Sequence, residues 1–111
     1  MDPLLAHGIE LFNQREFFHA HEVWEEAWTP ERPPRRLFLQ SLIHVAVGAH
    51  HATRGNPAGA ARQLRKALHK IQPYLPSYEG VQTAQLAQDA RRLLAAVDAG
   101  EPLPGFAIMK A

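Results

Sequence analysis

The residues that could carry chemistry are concentrated between positions 17 and 28, where His21, Glu22 and Glu25 lie among apolar residues at helical spacing. His21 and Glu25 are four residues apart and therefore share one face of a helix, with Glu22 one position round. An imidazole beside a carboxylate can ligate a divalent metal ion, transfer a proton, or form a structural hydrogen bond. All three interpretations are open at this point.

A metal site would need ligands from a second helix, and the segment after position 34 offers Gln40 and His44, again four residues apart. His21, Glu25 and His44 are the predicted metal ligands, while Glu22 or Gln40 would orient an imidazole or a bound water. The chain has no cysteine, so any metal would be held by nitrogen and oxygen atoms. The competing interpretation is a structural clasp, in which a glutamate accepts a hydrogen bond from a buried histidine and joins the two helices.

An enzyme is the less favoured class. The run His-Glu-x-x-Glu from His21 is similar to the metalloprotease pattern His-Glu-x-x-His, but its second histidine is missing, so a peptidase is not predicted. Proton transfer by His21 and Glu25 stays open. The chain has no Gly-rich phosphate loop, no serine triad and no complete catalytic motif, so we lean against an enzyme without excluding one.

Five helices are predicted to position these residues, from apolar spacing and from proline, glycine and capping residues at their ends. The third is apolar around most of its circumference and is expected to be central. Residues 1–100 are predicted to form one helical domain, followed by a non-helical tail over residues 101–111. The expected bounds in chain order are Asp2-Pro3 to Asn13, about 17 to 28, Pro34 to Thr53, Pro57 to Pro73, and Gln82 or Thr83 to Gly100.

A comparison of the chain with itself, shifted by about forty residues, aligns small and large residues of the first two helices with those of the next two. This pattern predicts two hairpins of the tetratricopeptide type within an all-α, single-domain bundle. A closed bundle is favoured over a solenoid, because two hairpins fall short of about three repeats. The aligned pairs are Gly8 with Gly48, Ala20 with Ala60, Trp24 with Leu64, and Ala27 with Ala67.

The composition is that of a globular protein, with 111 residues, 46% hydrophobic and 21% charged. The formal net charge of +1 gives no reason to expect nucleic acid as a partner. The amino terminus lacks the basic stretch and apolar run of a secretory signal, and longer apolar stretches are interrupted by polar residues. We therefore expect a cytoplasmic protein that does not bind membranes.

Four motifs in order carry a resemblance to a known family: A-H-E at 20–22, E-x-x-W at 25–28, L-Q-x-L-I at 39–43, and G-N-x-x-G-A at 55–60. Over roughly residues 8–95 the chain resembles the small prokaryotic helical family called domain of unknown function 309. The resemblance implies an all-helical fold without an established activity. The positions that match the family's polar and aromatic residues are His21, Glu22, Glu25, Trp28 and Gln40. Gln82 departs from the family, which tends to have aspartate there, and this weakens the expected cap of the fifth helix.

Two functional hypotheses follow. In the first, a polar pocket binds a divalent metal ion or a small polar ligand; its residues are His21, Glu22, Glu25, Trp28, Gln40 and His44. In the second, the tetratricopeptide-like hairpins form a protein-interaction or oligomerisation module, and the His/Glu cluster is purely structural. Under either hypothesis the protein could form a homodimer, and the second hypothesis also allows another protein as the partner.

Overall fold

A computed structural model describes all 111 residues as an all-α domain, which confirms the predicted fold class. It contains no β-strands, only two isolated bridges, which join Val81 to Tyr78 and to Lys110. No helix is both long enough and apolar enough to cross a membrane. The five helices are α1 (Pro3–Asn13), α2 (Phe17–Trp28), α3 (Arg35–Thr53), α4 (Pro57–Ile71) and α5 (Thr83–Ala99), with a short 3-10 helix at Gln72–Tyr74.

Local capping explains where several helices begin and end. The Asp2 carboxylate accepts hydrogen bonds from two first-turn amides of α1, and the Asn56 side chain does the same for one amide of α4. Gly100 ends α5 in the left-handed conformation, at φ 69°. Gln82 precedes α5, but its side chain does not cap the helix. The side-chain NH₂ of Gln82 instead donates to the Lys110 carbonyl.

The helices pack mainly against their neighbours in the chain, so α3 lies between α2 and α4 and also contacts α5. This is the central position expected from its apolar circumference. One continuous core joins all five helices, and its largest fully buried side chains include Trp24, Phe12 and Phe38. One face of α3 remains half-buried between α2 and α4, and that face positions the candidate site.

The two hairpins make equivalent close contacts. A Cβ added at Gly8 of α1 would lie 2.0 Å from the Trp24 indole nitrogen of α2. A Cβ added at Gly48 of α3 would lie 3.0 Å from Cγ of Leu64 in α4. These pairs are the ones aligned by the forty-residue shift, and the arrangement is compatible with tetratricopeptide-like hairpins.

Arg35 joins three separate segments at one end of the domain. Its guanidinium donates to the Glu79 carboxylate at 2.8 Å and lies 3.4 and 3.5 Å from Asp2 and Glu31. Burial lowers the pKa of Arg35, but its hydrogen bond to Glu79 and the surrounding carboxylates outweigh burial and raise it overall. The start of α1, the α2–α3 connection and the α4–α5 connection therefore meet at a single side chain.

The last residues run in extended form beside α1. The Asn13 side chain donates to the Ile108 carbonyl and accepts from the Ile108 amide, and Ile108 is buried. The Phe106 ring packs against those of Phe12 and Phe17. Residues after α5 thus add apolar surface to the α1–α2 hairpin.

Candidate functional site

A surface groove runs over α3 beside α2, and α4 borders one of its two parts. It consists of two adjoining clefts of about 250 Å³ each, which share Val47. The first, here called the polar cleft, is lined by Glu25, Trp28, Gln40, Ile43, His44, Val47 and Gln63. The second, here called the aromatic cleft, is lined by Phe18, His21, Val47, His50 and His51.

A chain of hydrogen bonds connects α3 to α4 beside the polar cleft. Gln63 Oε1 lies 2.7 Å from His44 Nδ1, and Lys70 Nζ lies 2.9 Å from His44 Nε2 and 3.0 Å from Gln40 Oε1. An ammonium group can only donate, so His44 Nε2 accepts from Lys70 and the ring proton resides on Nδ1, which donates to Gln63. The contacts therefore fit a neutral His44.

The electrostatics agree with this protonation state. Burial lowers the pKa of His44, and the charges of Lys70 and Lys66 lower it further, against the opposing effect of the hydrogen bond with Gln63. The pKa of Lys70 is also lowered, first by burial and then by Lys66. None of the salt bridges in the structure involves Lys70. A partly desolvated positive charge thus lies beside the polar cleft without a carboxylate partner.

Three residues of the polar cleft have hydrogen-bond donors without a partner, and the Glu25 carboxylate lies in the same cleft. The Trp28 indole N–H is buried and has no partner. Gln40 and Gln63 use their amide oxygens within the chain of hydrogen bonds, and their NH₂ groups make no bonds within the protein. Arg36 stacks 3.9 Å from the centre of a Trp28 ring and fixes its orientation. The cleft is therefore suited to a ligand that accepts hydrogen bonds.

His21 and Glu25 form a pair within α2. His21 Nδ1 lies 2.7 Å from the Phe18 carbonyl oxygen and its Nε2 lies 3.2 Å from Glu25 Oε1. The Glu25 side chain is 51% exposed, whereas that of His21 is 16% exposed. The pair belongs to one helix and makes no hydrogen bond to α3, so its bonds do not join α2 to α3.

Five of the six predicted pocket residues line the groove, and Glu22 does not, because it points to solvent. The five are His21, Glu25, Trp28, Gln40 and His44. Within this set, His21 contacts Glu25, and Gln40 and His44 share Lys70.

The proposed metal ligands are not gathered around one point. No group of three or more His, Cys, Asp or Glu side chains is placed to hold a metal ion. Both ring nitrogens of His44 are hydrogen-bonded, so His44 would have to give up its bond to Lys70 or to Gln63 before it could ligate a metal. Metal ligation by His21, Glu25 and His44 stays a prediction.

Gln63 and Lys70 belong to the site although sequence reasoning did not select them for it. Gln63 and Lys70 are seven residues apart and therefore lie on one face of α4, and this spacing is the signal in the sequence that could have identified them together. That this face meets Gln40 and His44 depends on how α3 and α4 pack.

Comparison with known proteins identifies a family and names no activity. Residues 5–63 match the family model described as Domain of unknown function (DUF309). The chain is 32% identical over 65 residues to "Uncharacterized protein YpuF" of Bacillus subtilis (strain 168), covering 58% of this chain and 37% of that protein. It is 24% identical over 100 residues to an "Uncharacterized protein" of Aquifex aeolicus (strain VF5), covering 89% of this chain and 30% of that protein. The chain thus spans about a third of the length of these relatives.

Proposed function

We propose that the chain, which belongs to the DUF309 family, is a binding protein for a small polar ligand with an acidic group. The ligand would occupy the polar cleft. The observation that carries this proposal is the Lys70 ammonium, which is partly buried, bonded only to the neutral partners Gln40 and His44, and without a counter-ion.

A desolvated charge without an opposite charge is unfavourable, and an acidic ligand would supply the missing partner. The same ligand could accept hydrogen bonds from the free NH₂ groups of Gln40 and Gln63 and from the Trp28 indole. A buried donor without a partner costs about 1–3 kcal/mol, which a ligand oxygen would recover. Preformed donors around one cation are typical of a binding site.

Nuclear magnetic resonance of ¹⁵N-labelled protein tests the proposal, with sodium acetate as the probe and choline chloride added to hold the ionic strength constant. Acetate should shift the Trp28 indole N–H signal and the side-chain NH₂ signals of Gln40 and Gln63 in a saturable way. The Trp24 indole, which donates to the Leu5 carbonyl inside the core, serves as an internal reference.

Two lysine variants make the experiment specific. Lys70→Met should abolish the saturable shifts, because it removes the unpaired charge. Lys66→Met removes the same charge one helical turn away, from an exposed position, and should leave the shifts in place. Equal effects of the two variants, or shifts that never saturate in the native protein, would refute acid binding at this cleft.

The alternative function is a tetratricopeptide-like interaction or oligomerisation module. The equivalent Gly8–Trp24 and Gly48–Leu64 contacts favour it, as does Phe18, an aromatic side chain that is 53% exposed. A molar mass that rises with protein concentration in sedimentation equilibrium, together with no acetate effect, would favour this alternative.

A further inference from the structure

We infer that the aromatic cleft is a second subsite for the same ligand, which is therefore an aromatic monocarboxylate rather than a purely polar acid. This inference rests on the proposed function of the polar cleft. It concerns the body of the ligand, whereas the proposed function concerns its acidic group.

Continuity and size support a ligand that spans both clefts. Val47 lines both clefts, so they are adjacent on the surface of α3. Small-molecule sites usually have volumes of about 300–1,000 Å³. Each cleft of about 250 Å³ has room for a small group, and the two together fall within that range.

The lining of the aromatic cleft suits a planar apolar group. Phe18 is 53% exposed, and its ring centre lies 4.9 Å from that of His21 and 5.2 Å from that of His50. Aromatic rings at such separations accept a further ring by stacking or edge contact. Covering Phe18 would also remove apolar surface from water.

The charge around the aromatic cleft is compatible with an apolar guest. Burial and the neighbouring charges of Arg54, His51 and His21 all lower the pKa of His50. The lowered pKa favours the neutral form of His50, whose ring can contact an aromatic group without desolvating a charge of its own.

The polar cleft favours a single negative charge. Two cations hydrogen-bond to residues of this cleft, Lys70 to Gln40 and His44 and Arg36 to the Trp28 carbonyl, and the Glu25 carboxylate lies in the same cleft. One positive charge is left after Glu25 is offset, so a dianion such as a phosphate ester would exceed it. A carboxylate matches this balance.

Acetate, phenylacetate and phenyl phosphate form a matched set of probes, and their dissociation constants follow from the same resonance titrations. Phenylacetate should bind about tenfold more tightly than acetate, because burial of a ring adds apolar contact. Phenyl phosphate should bind more weakly than phenylacetate. Phenylacetate should also shift signals of Phe18 and His50, which line only the aromatic cleft and which acetate leaves unchanged.

Phe18→Ser tests the second subsite, because an exposed side chain can be replaced without loss of the core. It should weaken phenylacetate by about tenfold and leave acetate unchanged. Leu37→Ser is the matched control, since Leu37 is 41% exposed on α3 and lines neither cleft. Far-ultraviolet circular dichroism of both variants should equal that of the native protein.

The outcomes separate the two proposals. Acetate binding without tighter binding of phenylacetate, or equal effects of Phe18→Ser and Leu37→Ser, overturns the second subsite and leaves acid binding intact. Tighter binding of phenyl phosphate overturns the preference for a single charge. No binding of any probe overturns both proposals, as would a dimer that covers Phe18 and excludes the probes.

Discussion

Replacing Gly8 with alanine tests how closely α1 approaches α2. The new Cβ would lie 2.0 Å from Nε1 and 2.4 Å from Cδ1 of Trp24, whereas carbon atoms pack at about 3.5–4.0 Å. The indole would have to move by roughly 1.5 Å to restore an ordinary contact. Trp24 has no exposed surface and its N–H donates to the Leu5 carbonyl, so this movement disturbs both packing and a buried hydrogen bond.

The expected loss of stability follows from three contributions. Overpacking costs about 1–3 kcal/mol, and a buried donor that loses its partner costs about as much again. Alanine recovers about 1 kcal/mol through its higher helix propensity. The free energy of unfolding of Gly8→Ala should therefore fall by about 3 kcal/mol, which lowers Tm by roughly 10–20 °C.

Gly48→Ala is the matched control in the second hairpin. Its Cβ would lie 3.0 Å from Cγ of Leu64 and 3.3 Å from the Ala60 carbonyl oxygen, so a shift of a few tenths of an ångström relieves the contact. Helix propensity then offsets most of the strain, and the change should stay within about 1 kcal/mol. Urea and thermal unfolding followed by circular dichroism measure both variants. Equal stabilities of the two variants would refute the close approach at Gly8.

Three further predictions concern charged and titratable groups. Lys70→Met should raise the pKa of His44, because it removes a neighbouring positive charge. A ¹H–¹⁵N histidine titration measures this pKa, and an unchanged value would contradict the prediction. The lowered pKa of His44 means that the unfolded chain binds more protons in acid, so stability should fall as pH drops from about 7 to about 5. His44→Gln should reduce that fall and not abolish it, since the pKa of His50 is lowered too; an unaltered pH profile of urea unfolding would contradict this. Arg35→Met should cost roughly 2–4 kcal/mol by leaving three carboxylates without their cation, and a loss below 1 kcal/mol in urea would contradict it.

The helices were predictable from the sequence because their starts and ends depend on nearby residues. Asp2 and Asn56 cap the first turns that follow them, and Gly100 ends α5 through its own backbone conformation. The apolar circumference of α3 indicated its central position, and the shifted self-comparison aligned Gly8 with Gly48 and Trp24 with Leu64, whose contacts within each hairpin the structure supplied. The same spacing rules placed most of the predicted pocket residues on the faces that line the groove.

The chemistry of the groove depended on contacts between distant parts of the chain. His44 could have met a carboxylate of α2 or a side chain of α4, and helical periodicity is the same in both cases. The packing of α3 against α4 places Gln63 and Lys70 on the two ring nitrogens of His44, twenty or so residues away along the chain. Local sequence thus determined which side chains face inward on each helix, whereas the register between helices decided their partners, because that register is set by the packing of the whole core.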